Sequence, residues 1–510
     1  MLAKVFSSAV LGLDGIPVEV EVDISSQGLP SFTIVGLPNK AVEEAKERVR
    51  SAIKNTGCDF PQRRITVNLA PADLPKEGAS YDLPIAVGIL LASGQIMGDL
   101  NTFFFSGELS LDGRLRYTNG ILPQVLMAKN EKFKKIFLPK VNSLEASIVK
   151  GIEIYPLENL LSLLKHLTKE NEIIPLKPRS LESYFKNDNF EFDMADIQGQ
   201  EHAKRALEIA AAGGHNVLLK GPPGAGKTLL ARTMPSILPN LTLDEALEVT
   251  KIYSISGLLD GNPIVTKRPF RSPHHTTSHI GLIGGGTSPK PGEISLANRG
   301  ILFLDEFPEF PRYVLESLRQ PMEDGFVVVS RASGRITFPS KFVLFAAQNP
   351  CPCGYFGDLK NDCKCTSSQI LKYQKKISGP MLDRIDIQLD VPSVKVEKLT
   401  NGQKNKNESS LSIRKRVQFA RNIQTKRFKN SKIISNSEMQ NKDIKKYCQL
   451  SEECLNLLKI AVSNMHLSAR SYQRIIKLSR TIADLENSKD IKPNHIAESL
   501  QYRQKTEVNY

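Results

Sequence analysis

Eight residues, Gly221, Pro222, Pro223, Gly224, Ala225, Gly226, Lys227 and Thr228, carry the spacing GxxxxGK[ST]. The chemistry they suit is phosphate binding. Glycine lets the backbone curl where a Cβ would obstruct it, and the N–H groups of such a curl point at an anion. Lys227 has the reach for the β- and γ-phosphates of a nucleotide, and the Thr228 hydroxyl is an oxygen ligand for Mg²⁺. The motif follows the apolar run Val217, Leu218, Leu219 and precedes a helix-like LLARTM, so strand, loop and helix N-terminus are expected in that order. An ordinary Gly-rich turn is the alternative, and it would require neither flank.

Four further stretches have chemical potential. In Ile301 to Glu306 (ILFLDE), four apolar residues predict a buried strand whose carboxyl end delivers Asp305 toward Mg²⁺ and Glu306 toward an attacking water. A second buried strand is expected in KFVLFAAQNP, ending at Asn349. Beyond it Cys351, Cys353, Cys363 and Cys365 form two CxC pairs. Four thiolates suit a tetrahedral Zn²⁺ shell, although CxC is tighter than CxxC, and free thiols or a redox role are the other readings. His274, His275 and His279 sit in RPFRSPHHTTSHIGLIGGG, where no neighbouring carboxylate or thiolate completes a metal set and Gly and Pro predict a loop.

The elements that must position these residues fit a soluble α/β protein of several domains. The chain has 510 residues, 40% hydrophobic and 24% charged, which exceeds what one core organises. The longest apolar stretch, near Leu83 to Ser93, is far short of the ~20 residues that span a bilayer, and the opening MLAKVFSSAVLGLDG lacks the shape of a signal peptide, so a cytoplasmic location and no membrane partner are expected. The net charge of +14 points to a polyanionic partner, and residues 401–450 alone hold thirteen Lys/Arg against three Asp/Glu. Solubility is the plainer use of that charge.

Residues 1–167 alternate strand-like runs (VEVEVDI, SFTIVGL, RITVNLA, TFFFSGELSL, KKIFLP) with helix-like ones (AVEEAKERVRSAIKNTG, LPIAVGILLASG, ILPQVLMAKN), predicting an α/β or α+β domain. Residues 168–190 are polar and contain Pro, as a linker does, and 396–410 form a second polar linker. Residues 191–395 hold the phosphate-binding core, and 411–510 read as all-helical. FVVVSRASGRITFP alternates about a short turn and predicts a β-hairpin with Arg331 and Arg335 beside its tip. An exposed basic hairpin with no ligand is the alternative reading.

PKEGASYDLPIAVGIL, with GELSLDGRLRYTNGILPQ, resembles the proteolytic domain of the Lon family (ribosomal S5 domain 2-like). Ser80 falls at that family's nucleophile position. The position of its activating Lys is taken by Leu122, so no peptidase activity is expected. The order of motifs from Gly221 onward resembles AAA+ ATPases. With the Lon-like segment and the CPCG stretch, the chain is similar over nearly its whole length to the magnesium-chelatase-like AAA+ proteins of the YifB/ComM type.

That resemblance implies an AAA+ P-loop core with a helical C-terminal lid, using ATP and Mg²⁺. Lys227, Asp305 and Glu306 would be catalytic, with Asn349 as sensor 1 orienting the hydrolytic water. Arg384, in GPMLDRIDIQLDVP, would reach the ATP of a neighbouring subunit, its alternative being a pair with Asp383 or Asp386. Arg470 would be sensor 2, Arg474 and Arg480 solvated or DNA-facing, and Ile197 and Gly199 neighbours of the adenine. The His-bearing stretch resembles the helix-2 insert and the hairpin the pre-sensor hairpin that grips nucleic acid. Expected partners are single-stranded or branched DNA and further copies in a ring, a hexamer. The expected activity is a branch migration helicase. A magnesium-chelatase motor subunit, an ATP-dependent protease and a non-catalytic DNA scaffold are the competing readings. No DxSxS metal-adhesion motif supports the first of these competitors.

Overall fold

Period-two alternation of apolar residues builds the first sheet. In the computed structural model, which describes residues 2–178, 184–185, 190–286, 289–331, 334–358, 361–393, 407–431 and 433–503, β1 (Leu2–Leu11) runs antiparallel to β2 (Asp14–Ser25), which pairs antiparallel with β4 (Arg64–Ala70). The register sets Val20 opposite Leu69 and Val22 opposite Val67, so the buried side chains share one face. With β3 (Ser31–Val35), β5 (Phe103–Phe105), β8 (Lys135–Pro139) and β9 (Glu153–Leu157) the sheet order is β3-β4-β2-β1-β5-β8-β9, the last four running parallel. β6 (Glu108–Leu109) and β7 (Leu115–Arg116) form a small ribbon. The helix Asp82–Ala92 is apolar all round and almost wholly buried. Its Gly88 lets it sit close to the sheet, since a Cβ there would stand 2.5 Å from Val22 Cγ2.

Two strands of this sheet, β1 and β9, escaped the sequence reading. β1 is interrupted by Ser7 and Ser8, both buried, so its apolar run looks broken although the backbone pairs along its whole length. The chain divides into two compact units: Met1–Asn187 with Leu243–Thr266 and Val328–Phe338, and Asp188–Thr242 with Lys267–Val327 and Pro339–Tyr510. The helix Leu243–Ser256 thus packs in the first unit, where Ser254 Oγ and Glu145 are hydrogen-bonded. Leu176, within the expected first linker, bridges to Ile154; residues 179–183 and 186–189 of that linker, and 396–406 of the second, lie outside the described residues.

The second unit is built on five parallel strands, β10 (Val217–Lys220), β11 (Phe270–Arg271), β14 (Ile301–Leu304), β17 (Val343–Gln348) and β18 (Ile387–Asp390), in the order β11-β14-β17-β10-β18. Near-continuous apolar runs such as Ile301 to Leu304 are what a sheet covered on both faces requires. β12 (Gly284–Gly285) and β13 (Lys290–Pro291) make a short ribbon after β11, and β15 (Phe326–Arg331) and β16 (Gly334–Pro339) form the expected hairpin. Helices Ser410–Arg427, Asn441–Tyr447, Glu452–Met465, Ala469–Leu485 and Pro493–Gln501 follow. The first of them shares a core with the helix Glu201–Gly213 through Val417, Ala420 and Leu207. Among the described residues no helix is long and apolar enough to cross a membrane.

The inner face of helix Ala469–Leu485 corrects the expectation for two arginines. Arg474 donates to the buried Asp386 at 2.6 Å and to the Arg384 carbonyl at 2.8 Å. Arg480 is only 4% exposed in its side chain and pairs with Asp484 at 2.9 Å. Neither is solvated or free for DNA, because each neutralises a buried carboxylate. Burial opposes the charge on Asp386, but Arg474 and His215 beside it hold its carboxyl well below the usual carboxylate range.

Candidate nucleotide-binding site

In the order β11-β14-β17-β10-β18 the chain connections diverge on either side of β10, and crevices at such switch points, outside the carboxyl ends of the strands, are where ligands bind. The phosphate-binding loop leaves β10 there and enters the helix Lys227–Thr233. Gly224 and Gly226 take φ of +74° and +86°, the left-handed region that a Cβ disfavours. Gly221 is needed for proximity instead, since a Cβ on it would meet the Val391 carbonyl oxygen at 2.2 Å.

Lys227 is nearly buried, and its ammonium donates to the carbonyls of Gly221 at 2.7 Å and Pro222 at 2.8 Å and to Asn349 Oδ1 at 3.2 Å. Burial pulls its pKa below that of an ordinary lysine. Thr228 Oγ1 donates to Asp305 Oδ2 at 2.9 Å, while Asp305 Oδ1 accepts from the Glu306 N–H at 2.9 Å. A hydroxyl and a carboxylate so placed are the hard oxygen donors that Mg²⁺ uses together with substrate phosphates. Glu306 adopts φ +51°, an uncommon conformation for a non-glycine residue, where β14 ends. The structure thus brings Lys227, Thr228, Asp305, Glu306 and Asn349 to adjacent ends of β10, β14 and β17. Ile197, by contrast, is buried in the core of this unit, and Gly199 takes φ +68°.

His275 was absent from the residues expected here. Its Nδ1 lies 3.3 Å from Glu306 Oε2. The signal was available in principle: two histidines follow shortly after β11, and β11 lies parallel beside β14. His274 contacts Thr276 at 2.9 Å and its ring lies 4.1 Å from that of His275, whereas His279 is tilted against Tyr313, so two of the three histidines meet and the third does not join them.

Arg384 and Arg470 both meet Glu323, a residue that no motif singles out. Arg384 is buried, with Nη2 2.7 Å from Glu323 and Nη1 donating to the Pro380 carbonyl at 2.7 Å. It pairs with neither Asp383 nor Asp386: the former accepts from Ser468 and Ser471, the latter is taken by Arg474. Arg470 is half-exposed and 3.5 Å from the same carboxylate.

The four cysteines do come together. Their sulfurs lie within 4.8 Å of one another, with Cys351–Cys353, Cys351–Cys363 and Cys353–Cys363 separations of 3.4, 3.7 and 3.6 Å. A tetrahedron of sulfurs at the Zn–S distance of 2.3 Å has edges of about 3.8 Å. The Tyr355 N–H beside it lowers the pKa of the Cys353 thiol, whereas those of Cys363 and Cys365 are raised, in spite of a backbone hydrogen bond each, by burial and by the neighbouring sulfurs, so it is the geometry that suits a metal.

Of the hairpin, Val327, Val329, Ile336 and Phe338 are buried and Arg335 is exposed on the opposite face; the Arg331 side chain lies outside the described residues. In the first unit Leu122, expected from the sequence at the position of the Lon-type Lys, is fully buried, its N–H donating to Glu145 at 2.9 Å.

Comparison with known proteins agrees with this arrangement along the whole chain. The family described as magnesium chelatase, subunit ChlI, matches residues 193–399, its companion for subunit ChlI of Mg-chelatase matches 20–142, and the ChlI C-terminal family matches 407–503. Competence protein ComM of Haemophilus influenzae is 45% identical over 505 residues, 98% of this chain and 97% of that protein. YifB of Salmonella typhimurium, an uncharacterized protein, is 42% identical with the same coverage. The magnesium-chelatase 38 kDa subunit of Rhodobacter capsulatus is 27% identical over 177 residues, covering 31% of this chain and 50% of that one. The parallel sheet, the loop at Gly221 and full-length similarity converge: the chain belongs to the ComM/YifB family of magnesium-chelatase-like AAA+ ATPases.

Proposed function

We propose that this chain hydrolyses ATP as one subunit of a ring, a hexamer, and that the ring moves single-stranded or branched DNA as a branch migration helicase in recombination or transformation. The observation that carries the ATPase reading is the gathering of Lys227, Thr228, Asp305, Glu306 and Asn349 at one end of the parallel sheet. Lys227 would exchange its carbonyl partners for β- and γ-phosphate oxygens. Thr228 and Asp305 would hold Mg²⁺, which neutralises phosphate charge. Glu306 would accept a proton from the attacking water, and Asn349 would orient that water. Arg384 would leave Glu323 to meet charge developing on a neighbouring subunit's nucleotide, and Arg470 would leave it to touch the γ-phosphate from the lid as sensor 2.

The DNA reading is supported by similarity to a competence protein across nearly the whole chain, by the basic residues 401–450 and by exposed Arg335 on the hairpin. The cysteine cluster is proposed as a structural zinc site. A chelatase motor is the second reading, favoured by the family descriptions, although the Rhodobacter subunit aligns with only part of this chain.

The test measures ATP turnover with and without single-stranded and branched DNA. Glu306→Gln is expected to lower kcat by about 10²–10⁴-fold, and Lys227→Ala to abolish productive ATP binding. DNA is expected to raise turnover. Turnover indifferent to DNA would discard the DNA motor and leave the chelatase reading; full activity in either variant would discard the ATPase assignment.

A further inference from the structure

The cysteine knuckle is built onto the nucleotide site itself. Asn349, whose Oδ1 accepts from Lys227, is separated from Cys351 by one residue, Pro350. The turn continues to Gly354, whose N–H donates to the Cys351 carbonyl at 3.0 Å. Gly354 has φ +89°, and a Cβ on it would lie 2.7 Å from both Cδ and Cγ of Pro223, in the phosphate-binding loop, and 3.9 Å from Asn349 Cγ. The knuckle backbone therefore rests directly against the loop on one side and the water-orienting amide on the other.

What holds the knuckle in shape is sulfur. Cys351 is fully buried while Cys353, Cys363 and Cys365 are half-exposed, and the segment has no apolar core of its own. Among the described residues it is also restrained by hydrogen bonds: the Phe356 N–H donates to Cys351 Sγ at 3.3 Å, Gln374 Nε2 to the Pro350 carbonyl at 3.3 Å, and Asp358 accepts from Ser393 at 3.2 Å and Asn361 at 2.9 Å. In so small a loop, metal binding is folding free energy.

We infer that a thiophilic, tetrahedral divalent ion at the four cysteines presses Gly354 onto Pro223 and fixes Asn349 beside Lys227, so that metal occupancy of the knuckle sets the affinity of the ATP site. This rests on the zinc reading proposed above. It makes Gly354 a positioning residue: it touches the loop that touches phosphate, and only glycine tolerates both the contact and the dihedral. It also gives the tight CxC spacing a purpose, since the first pair follows immediately after Asn349 and leaves no slack between metal and amide.

The experiment uses the full chain. Zinc per chain is measured by elemental analysis, before and after release with an organomercurial and back-titration with zinc. Binding of a fluorescent ATP analogue is measured on each form, alongside Gly354→Ala and Cys363→Ser. About one zinc per chain is expected. Stripped protein and Cys363→Ser should bind the analogue about ten-fold more weakly, with zinc restoring affinity only to the former; Gly354→Ala should retain zinc and lose affinity to a similar degree. Equal affinity of loaded and stripped protein, or a wild-type affinity in zinc-loaded Gly354→Ala, would overturn the coupling while leaving the zinc site standing. A chain that neither contains zinc nor takes it up would overturn both.

Discussion

The residues proposed to grip phosphate announce themselves by type and spacing, whereas those that hold them in place do not. Lys227 and Thr228 were readable from the GxxxxGK[ST] spacing after the apolar run of β10, and Asp305 and Glu306 because they directly follow the apolar run of β14. His275 and Glu323 were not, since each meets its partner through the fold rather than through spacing. His275, 3.3 Å from Glu306, touches no phosphate in the reading proposed above, and on that reading would act by fixing a carboxylate whose backbone already has φ +51°. Misplacing a reacting group by about 1 Å can cost about 10²-fold in rate. His275→Ala is therefore expected to lower kcat by about 10- to 100-fold with KM for ATP little changed, and His275→Gln, which keeps a hydrogen-bonding group, to recover part of the loss. Steady-state kinetics at saturating ATP checks this, and a change confined to KM would count against it.

At the level of elements, β10, β14 and β17 were legible as apolar runs, whereas the two-residue β11 fell in a stretch that read as a loop, and Ile121–Asn130 and Arg64–Ala70 were legible to their ends. β1 was hidden by its buried serines. Helix Ala469–Leu485 fell within the expected all-helical segment, but its inner face carries Arg474, whose partner Asp386 is 88 residues away in sequence. Arg480 and Asp484, four residues apart, were closer to being readable. Arg474→Ala leaves a buried carboxylate without its main cation, which costs about 3–5 kcal/mol. Because the folded state holds Asp386 below its unfolded value, this contribution is fully present above the unfolded pKa of about 3.9 and is lost as pH falls below it. Urea unfolding should show a lower midpoint for the variant at pH 7 and a narrowing gap under acid conditions. A gap independent of pH would assign the loss to packing.

Across the whole molecule, boundaries were drawn at polar linkers, and that procedure could not foresee that Leu243–Thr266 and Val328–Phe338 group with the first unit. Tertiary contacts, not composition, decide such membership. The excess of Lys/Arg was plain from the sequence, and its use is testable. If about four phosphates are neutralised, DNA affinity should fall by about a hundred-fold between 50 and 200 mM salt, measured by fluorescence anisotropy; a flat dependence would make the basic segment mere solvated surface. A chain that turns over ATP, as proposed, must also empty its pocket on every cycle. In the free chain the three hydrogen bonds of Lys227, to Gly221, Pro222 and Asn349, match the three donors of an ammonium. Nucleotide thus enters by exchange rather than by filling a void. When it departs no bare cation is stranded in a dry interior, and the vacated state is a resting place rather than a barrier.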